Sequence, residues 1–252
     1  MRIGLCTGLE NLELVRRLGF DYLECTVSGI AALSDTDYEK ALETVKAGSI
    51  KIERMNVLFP PAIKLVGPEK DQKVIDEYLE KAFGRASKLG AKTVVFGSGK
   101  ARAIPETIPF GEGYRELVAV TKRMGGIAGK HGLCIAIEPL NREETNCINS
   151  VKEGAMLEAD ADSPSVGLLA DFYHMMKENE SPENIGAVKH LKHTHVALLE
   201  GRSFPVKATE ELKTFFEMLK KIGYAGTMSV EGNTDNLERD AALSLAVLRS
   251  LS

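Results

Sequence analysis

Short apolar runs alternate with amphipathic stretches along the chain, and glycine recurs at the junctions. An apolar run follows a stretch that ends in glycine at Gly19, Gly90, Gly132 and Gly223. Glycine after a basic last turn is typical of a helix C-terminus, because glycine readily adopts the left-handed conformation needed there. The short apolar runs that come next are typical of buried parallel strands. The pattern therefore predicts helices and strands in regular alternation.

Eight strands fit this pattern, with helices between them and a last helix from about Leu237 to Leu251. Because no linker or change of composition interrupts the series, it predicts an α/β fold, one (β/α)8 TIM barrel that spans residues 1–252 as a single domain. The alternative is an open doubly wound sheet, which would need a glycine-rich turn after its first strand. Residues 7–10, which read T-G-L-E, match such a turn poorly. The predicted strands cover residues 2–6, 21–27, 51–58, 92–97, 133–138, 166–170, 190–196 and 226–231.

Two connections are longer than the others, residues 59–70 after the third strand and residues 98–112 after the fourth. Both follow the carboxyl ends of strands, where barrel enzymes build their active sites, so each is a candidate wall or lid as well as a plain surface loop. Residues 97–102 are rich in glycine and basic side chains, but they lack the spacing of a phosphate-binding loop. The sequence therefore favours an ordinary loop there.

Charge and cysteine usage narrow the partners and the compartment. The chain has 32 basic and 36 acidic residues without a basic run, which predicts no nucleic-acid partner. Its four cysteines form no C-x-x-C pair, which favours reduced thiols. The N-terminal residues lack the apolar region of a signal peptide, and no apolar run has the length of a membrane span. We therefore expect a cytoplasmic protein with no membrane partner.

The last four predicted strands all end in side chains that can bind a metal ion. These are Glu138, Asp171, His195 and Glu231. An acidic residue directly after a buried strand is costly unless it is paired or bound to a cation. Each alone could be a capping or solvated group, but the four together should converge above the barrel axis and bind one divalent ion. Three carboxylates and one imidazole suit Mn²⁺, Mg²⁺ or Co²⁺, and they also accept Zn²⁺.

Two further side chains follow the same strand ends. His174 comes three residues after Asp171, where it could reach a substrate oxygen or serve as another ligand. Arg202 lies in the loop after the seventh strand. There it could bind a hydroxyl or carboxylate group of a substrate, or it could be a solvated loop residue. His193 is expected to point to the opposite side of the strand from His195, as a core or helix-facing histidine. No lysine ends a predicted strand and no G-x-S-x-G motif occurs, which disfavours a Schiff-base aldolase and a serine hydrolase.

Residues 137–146 read I-E-P-L-N-R-E-E-T-N, a stretch that resembles the E-P-x-N-R-x-E-T motif of the xylose-isomerase-like sugar isomerases and epimerases. This group includes the ketose 3-epimerases and hydroxypyruvate isomerase. The segments 56–60 and 171–174, the pair His193 and His195, and the closing Glu231 are also similar to that family, and the resemblance extends over nearly the whole chain.

The resemblance implies roles for individual residues. Glu138, Asp171, His195 and Glu231 would bind the metal, with Mn²⁺ expected first, and Glu138 and Glu231 would also form the acid/base pair. The substrate oxygens would be contacted by Glu144, His174 and Arg202. The implied reaction is proton transfer through an enediolate in a ketose 3-epimerase, with a small sugar or sugar phosphate as substrate and a homodimer or homotetramer as the assembly.

Other functions remain open from the sequence. An aldose–ketose isomerase of the hydroxypyruvate type or an inosose-type dehydratase would use the same metal site. An abasic-site endonuclease of this architecture would need more histidines than the five present and a basic surface. A non-catalytic sugar-binding barrel would be expected to have lost at least one of the carboxylates. The chain has no tryptophan, although an aromatic side chain often forms the sugar pocket of the epimerases it resembles, so the exact sugar stays open.

Overall fold

A computed structural model describes residues 1–252, and its eight parallel strands close into a barrel. Each strand pairs with the next one along the chain, and the last pairs with the first. This confirms the predicted (β/α)8 fold, with each predicted strand end within two residues of the observed one. The strands are β1 (Arg2–Cys6), β2 (Tyr22–Thr26), β3 (Lys51–Asn56), β4 (Thr93–Phe96), β5 (Cys134–Ile137), β6 (Val166–Asp171), β7 (Leu191–Val196) and β8 (Thr227–Val230).

Ten α-helices surround the strands. The glycines at the predicted helix ends all have positive φ, which is the reason the chain uses glycine there. Part of the predicted loop 98–112 is helical, because a short helix precedes the next long one. The helices are α1 (Leu12–Leu18), α2 (Val27–Ala32), α3 (Asp35–Ala47), α4 (Gln72–Leu89), α5 (Gly99–Arg102), α6 (Phe110–Lys130), α7 (Val151–Ala161), α8 (Phe172–Lys177), α9 (Glu210–Lys221) and α10 (Leu237–Leu251).

The main core lies between the outer face of the barrel and the helices. α9 shows how the sequence makes it, because Leu212, Phe215, Phe216 and Leu219 recur at helical spacing and all are buried. A continuous apolar layer of this kind is the main stabilising feature of the fold. None of the helices combines the length and the apolar character needed to cross a membrane.

The interior of the barrel has two unlike sides. On the side of β4, β5 and β6, Val95, Ala136 and Leu169 form a small apolar cluster. On the other side lie four polar side chains with no solvent exposure, which we call the interior polar layer: Tyr22, Glu24, His193 and Ser229.

Contacts within the interior polar layer join strands that are not neighbours in the barrel. The Tyr22 hydroxyl of β2 is 2.8 Å from Ser229 Oγ of β8, and β1 lies between these two strands. Gly4 in β1 makes this possible, because a Cβ atom there would lie 2.2 Å from the Tyr22 ring. The layer therefore fills the barrel interior directly beneath the carboxyl ends of the strands.

Candidate metal centre

Four strand ends bring Glu138, Asp171, His195 and Glu231 together at the mouth of the barrel. Glu138 and Glu231 directly follow β5 and β8, Asp171 ends β6, and His195 lies near the end of β7. One potential ligand atom from each residue lies within 4.8 Å of those of the other three. We call these four residues the quartet. Their side chains come from consecutive strands, and the curvature of the barrel turns them toward one point.

Three carboxylates of the quartet surround a single imidazole nitrogen. His195 Nδ1 lies 3.0 Å from Glu138 Oε1, 3.5 Å from Glu231 Oε2 and 4.0 Å from Asp171 Oδ2. The Glu138, Asp171 and His195 side chains are at most 7% exposed, so water screens their charges poorly. Three like charges at such distances need a cation or a proton among them.

The orientation of Asp171 provides a test of whether a metal ion fits. Its Oδ1 atom accepts hydrogen bonds from the backbone N–H groups of Tyr173 and His174, at 2.7 and 3.3 Å, so Asp171 caps α8. Its Oδ2 atom is buried and has no hydrogen-bond partner. A buried carboxylate oxygen without a partner is costly, and a divalent cation would satisfy it. The donor set and this oxygen therefore fit a hard divalent ion.

The two glutamates of the quartet have different surroundings. Glu231 Oε1 accepts a hydrogen bond from Asn56 Nδ2 at 2.7 Å, and its Oε2 accepts one from Arg202 at 2.6 Å. Burial favours a higher pKa for Glu231, but the charges of His195 and Arg202 outweigh it and lower the pKa to about 2. Burial raises the pKa of Glu138 above its ordinary value, and the neighbouring His195 opposes this effect without cancelling it. The two carboxyl groups therefore have different affinities for a proton.

An open cavity of about 400 Å³ lies above the quartet. Glu138 and Glu231 line it, and the connections after β3 and β4 form part of its wall. Only 4 of its 15 lining residues are hydrophobic, so the cavity suits a ligand with many hydroxyl groups. Gly97 leaves room beside the cavity for Glu138 in its observed position, because a Cβ atom there would lie 2.1 Å from Glu138 Oε2.

The three side chains predicted to contact substrate lie at different depths. Glu144 and Arg202 line the cavity, and their closest polar atoms are 3.4 Å apart. The Arg202 guanidinium also stacks over the Tyr173 ring, 4.8 Å from its centre. His174 is 3% exposed and lies deeper. The backbone N–H of Asn141 donates to its Nδ1 at 3.2 Å, and its Nε2 has no partner.

The predicted orientation of His193 is wrong. Side chains two residues apart on a strand point to the same face, so His193 and His195 both point into the barrel. His193 Nε2 is 2.8 Å from Glu24 Oε2, and His195 Nε2 is 3.1 Å from Glu24 Oε1. Of the two surroundings expected for His193, the core or the helix-facing side, the structure shows a core position inside the barrel, with no solvent exposure.

Sequence reasoning assigned no role to Glu24 and Arg102. Glu24 is an acidic residue inside a buried strand, a signal related to the acidic residues directly after predicted strands that pointed to Glu138 and Asp171. Arg102 lies in the glycine-rich segment considered for phosphate binding, but its side chain is fully buried. Its guanidinium donates to the carbonyl oxygens of Phe96 at 2.9 Å and Glu138 at 2.8 Å, and it thereby holds the ends of β4 and β5 together.

Known proteins with similar sequence or structure include sugar epimerases. The 3-dehydro-D-guloside 4-epimerase of Escherichia coli K12 is 28% identical over 235 residues, which cover 89% of this chain and 86% of that protein. A crystal structure of D-psicose 3-epimerase in the presence of D-fructose superposes with a TM-score of 0.87 at 20% identity, covering 100% of this chain and 99% of the other.

A second similar structure contains a metal ion. The IolI protein with a bound zinc atom superposes with a TM-score of 0.76 at 19% identity, over 100% of this chain and 98% of the other. Structural likeness at such identity shows the shared barrel alone. The family assignment comes from the sequence, because the family model described as xylose isomerase-like TIM barrel matches residues 12–251. The chain therefore belongs to the xylose isomerase-like TIM barrel family.

Proposed function

We propose that the protein is a divalent-metal-dependent sugar epimerase, and that it inverts C3 of a ketose by proton transfer between two glutamates. The observation that carries this proposal is the position of Glu138 and Glu231, which belong to one group of four potential metal ligands and line one polar cavity. The two residues follow β5 and β8, which are three strands apart around the barrel. A sugar bound between them would have one carboxyl group on each side.

The reaction follows from the acidity of the C–H group beside the ketose carbonyl. When bound, the metal supplies Lewis acidity that stabilises the negative charge developing on the carbonyl oxygen. One glutamate removes the C3 proton, which leaves an enediolate, and the other delivers a proton to the opposite face of C3. Asn56 donates a hydrogen bond to Glu231, whereas Glu138 contacts His195. This difference supports giving one glutamate the role of base and the other the role of acid.

Other residues at the mouth of the barrel are suited to hold the sugar. Arg202 and Glu144 present a cation and a carboxylate to the cavity, and both can bind hydroxyl groups. We assign His174 to a substrate oxygen or to support of the metal site, because its unpartnered Nε2 is 3.8 Å from Asp171 Oδ2. Asn56 and Arg202 together fix both oxygens of Glu231.

For the metal, we propose Mn²⁺ first, with Mg²⁺, Co²⁺ and Zn²⁺ as alternatives. The three carboxylates favour a hard ion, and the single imidazole is compatible with each of these metals. The zinc atom in the similar IolI structure supports the inclusion of Zn²⁺. Elemental analysis of the purified protein, followed by reconstitution of the chelated protein with each metal, identifies the ion that restores activity.

The test of the proposed reaction uses NMR in D₂O. The protein is incubated with Mn²⁺ and a panel of ketoses and ketose phosphates. The Mn²⁺ is removed before the spectra are recorded. A 3-epimerase places solvent deuterium at C3 and inverts that carbon. A new aldose instead indicates an aldose–ketose isomerase, and loss of water indicates a dehydratase. Either result, or no conversion with any sugar, contradicts the proposed 3-epimerase activity.

A second candidate is a 4-epimerase that acts on a 3-keto-glycoside. The 28% identity to the Escherichia coli 3-dehydro-D-guloside 4-epimerase favours it. A second cavity of about 490 Å³ lies near the quartet, since Asn56, which lines it, donates a hydrogen bond to Glu231. The chemistry is equivalent, because C4–H is adjacent to the C3 carbonyl. Adding a 3-keto-glycoside to the D₂O panel distinguishes the two, since deuterium would then appear at C4.

A further inference from the structure

Glu24 is a buried carboxylate that the proposed proton transfer does not use. It lies in β2 and has no solvent exposure. Its side chain extends across the barrel interior to His193 and His195 of β7. Its Oε1 atom is 3.1 Å from Nε2 of His195, the one histidine of the quartet. A buried charge needs partners that stabilise it, so the identity of those partners shows what Glu24 does.

The other oxygen of Glu24 accepts two more hydrogen bonds. Ser229 Oγ donates to Oε2 at 2.5 Å, and His193 Nε2 lies 2.8 Å from the same atom. His193 Nδ1 lies 2.8 Å from Thr227 Oγ1, which can donate to it, and 3.0 Å from the Thr227 carbonyl oxygen, which can only accept from it. Two imidazole nitrogens and one hydroxyl group therefore face the carboxyl group of Glu24, and an ionised Glu24 can accept a hydrogen bond from each of them.

This arrangement determines which nitrogen of His195 carries a proton. Because ionised Glu24 can only accept, His195 Nε2 must donate, so a neutral His195 has its lone pair on Nδ1. Nδ1 is the atom that faces the carboxylates of Glu138, Asp171 and Glu231. Metal-bound histidines commonly donate their second N–H to a carboxylate, which orients the ring and makes the ligand nitrogen more basic.

We propose that Glu24 is a positioning residue, which holds His195 so that Nδ1 binds the metal and Nε2 keeps its proton. The inference rests on the proposed metal-dependent function and deepens it. A different cation position uses some of the same atoms, because Cys6, Glu24 and His195 also have ligand atoms within 4.8 Å of one another. An ion there would need His195 Nε2 as its ligand. The structure favours the quartet, since Glu24 already accepts three hydrogen bonds and Asp171 Oδ2 has none.

NMR of the unmodified protein loaded with Zn²⁺ gives the first test. Long-range ¹H–¹⁵N spectra report which ring nitrogen of each histidine is protonated, and a His195→Asn variant identifies the His195 signals. The proposal expects a protonated Nε2 that exchanges slowly with water and a metal-bound Nδ1. A protonated Nδ1 with Nε2 bound to zinc would overturn the proposal and place the ion between Cys6, Glu24 and His195.

Paired variants give the second test, with Co²⁺ as the probe. Glu24→Gln keeps the shape of the side chain but removes its charge, whereas Ser229→Ala removes a hydrogen bond to the other oxygen of Glu24. We expect Glu24→Gln to weaken Co²⁺ binding about 10- to 100-fold in calorimetric titrations and to change the visible absorption of bound Co²⁺. Ser229→Ala should stay within about threefold of the unmodified protein, because it leaves the contact with His195 in place.

The two tests separate the failure of this inference from failure of the proposed function. If the unmodified protein binds neither Zn²⁺ nor Co²⁺, both are wrong. If it binds Co²⁺ and Glu24→Gln binds it equally well with the same absorption spectrum, the positioning role alone is wrong. If Glu24 has only a structural role, Glu24→Gln should lower the melting temperature of the metal-free protein and leave its affinity for Co²⁺ unchanged. If Glu24→Gln does not fold, the NMR spectrum of the unmodified protein decides the question.

Discussion

Two polar clusters lie one above the other in the barrel, and β7 contributes to both. In the interior polar layer, Glu24 accepts hydrogen bonds from Ser229, His193 and His195 at 2.5, 2.8 and 3.1 Å. In the quartet above it, a buried oxygen of Asp171 has no partner. The comparison teaches that burial alone does not distinguish a polar group that holds other side chains in place from one that binds a ligand. The difference between these two clusters is the unfilled hydrogen-bonding capacity at Asp171, which leaves a place for a ligand.

Among the changes that test this difference between the two clusters, Glu231→Gln is expected to have the largest effect. The variant removes one of the two proton-transfer groups, so kcat on the true substrate should fall by roughly 10²- to 10⁴-fold. Turnover at saturating sugar and Mn²⁺ measures this effect. Glu238→Gln is a matched control, since Glu238 is exposed and pairs only with Arg17. Full activity in Glu231→Gln would remove Glu231 from the proposed mechanism.

A somewhat smaller effect is expected for Asp171→Asn, which replaces a proposed ligand and keeps an oxygen to cap α8. Mn²⁺ affinity measured by titration calorimetry should fall by at least about 100-fold, since removal of even an indirect metal contact costs 10- to 100-fold. The metal-free protein should not lose stability, because one of three neighbouring like charges has been removed. Unchanged Mn²⁺ affinity would show that Asp171 is not a ligand.

Metal addition should stabilise the protein by an intermediate amount. At a free Mn²⁺ concentration 100 times Kd, the folded state gains about 2.7 kcal/mol, which raises the melting temperature by roughly 5–11 °C in a chain of this size. Thermal unfolding with Mn²⁺ and after chelation measures the difference. The same Mn²⁺ concentration should have little effect on Asp171→Asn. Equal melting temperatures with and without Mn²⁺ would contradict metal binding by the folded protein.

The smallest effect is expected in the interior polar layer, for Tyr22→Phe. The change removes only the hydroxyl group that contacts Ser229, so the free energy of unfolding should fall by about 1 kcal/mol and the melting temperature by roughly 2–4 °C. Turnover should stay close to that of the unmodified protein. A loss of kcat as large as that predicted for Glu231→Gln would show that the layer takes part in the chemistry and would break the distinction between the two clusters.

Much of the fold was predictable from the sequence because the patterns involved are local. Alternation of apolar runs with amphipathic stretches indicated the eight strands, and basic turns ending in glycine indicated where helices stop. The quartet was predictable for a related reason. An acidic or imidazole side chain directly after a buried strand is unusual, and in a parallel barrel all such positions lie at one end.

The contacts that organise the site could not be predicted in the same way. The side-chain period of two in β7 is enough to give His193 and His195 the same orientation, so the prediction that they point apart misapplied this period. That Glu24 of β2 meets both histidines of β7, however, depends on the diameter of the barrel. The contact between Tyr22 and Ser229 depends on Gly4, which leaves room across β1 for the Tyr22 ring. The burial of Arg102 likewise depends on carbonyl oxygens from two strands.

The amino-acid sequence by itself determined the order of strands and helices, the family, and which side chains stand at the strand ends, since each of these depends on residues close together in the chain. Only the tertiary structure decided which of those side chains have partners. Hydrogen bonds such as those of Glu24 and Glu231 join strands far apart in sequence, and their distances exist only after the barrel closes. The unpartnered oxygen of Asp171 is a property of that closed arrangement.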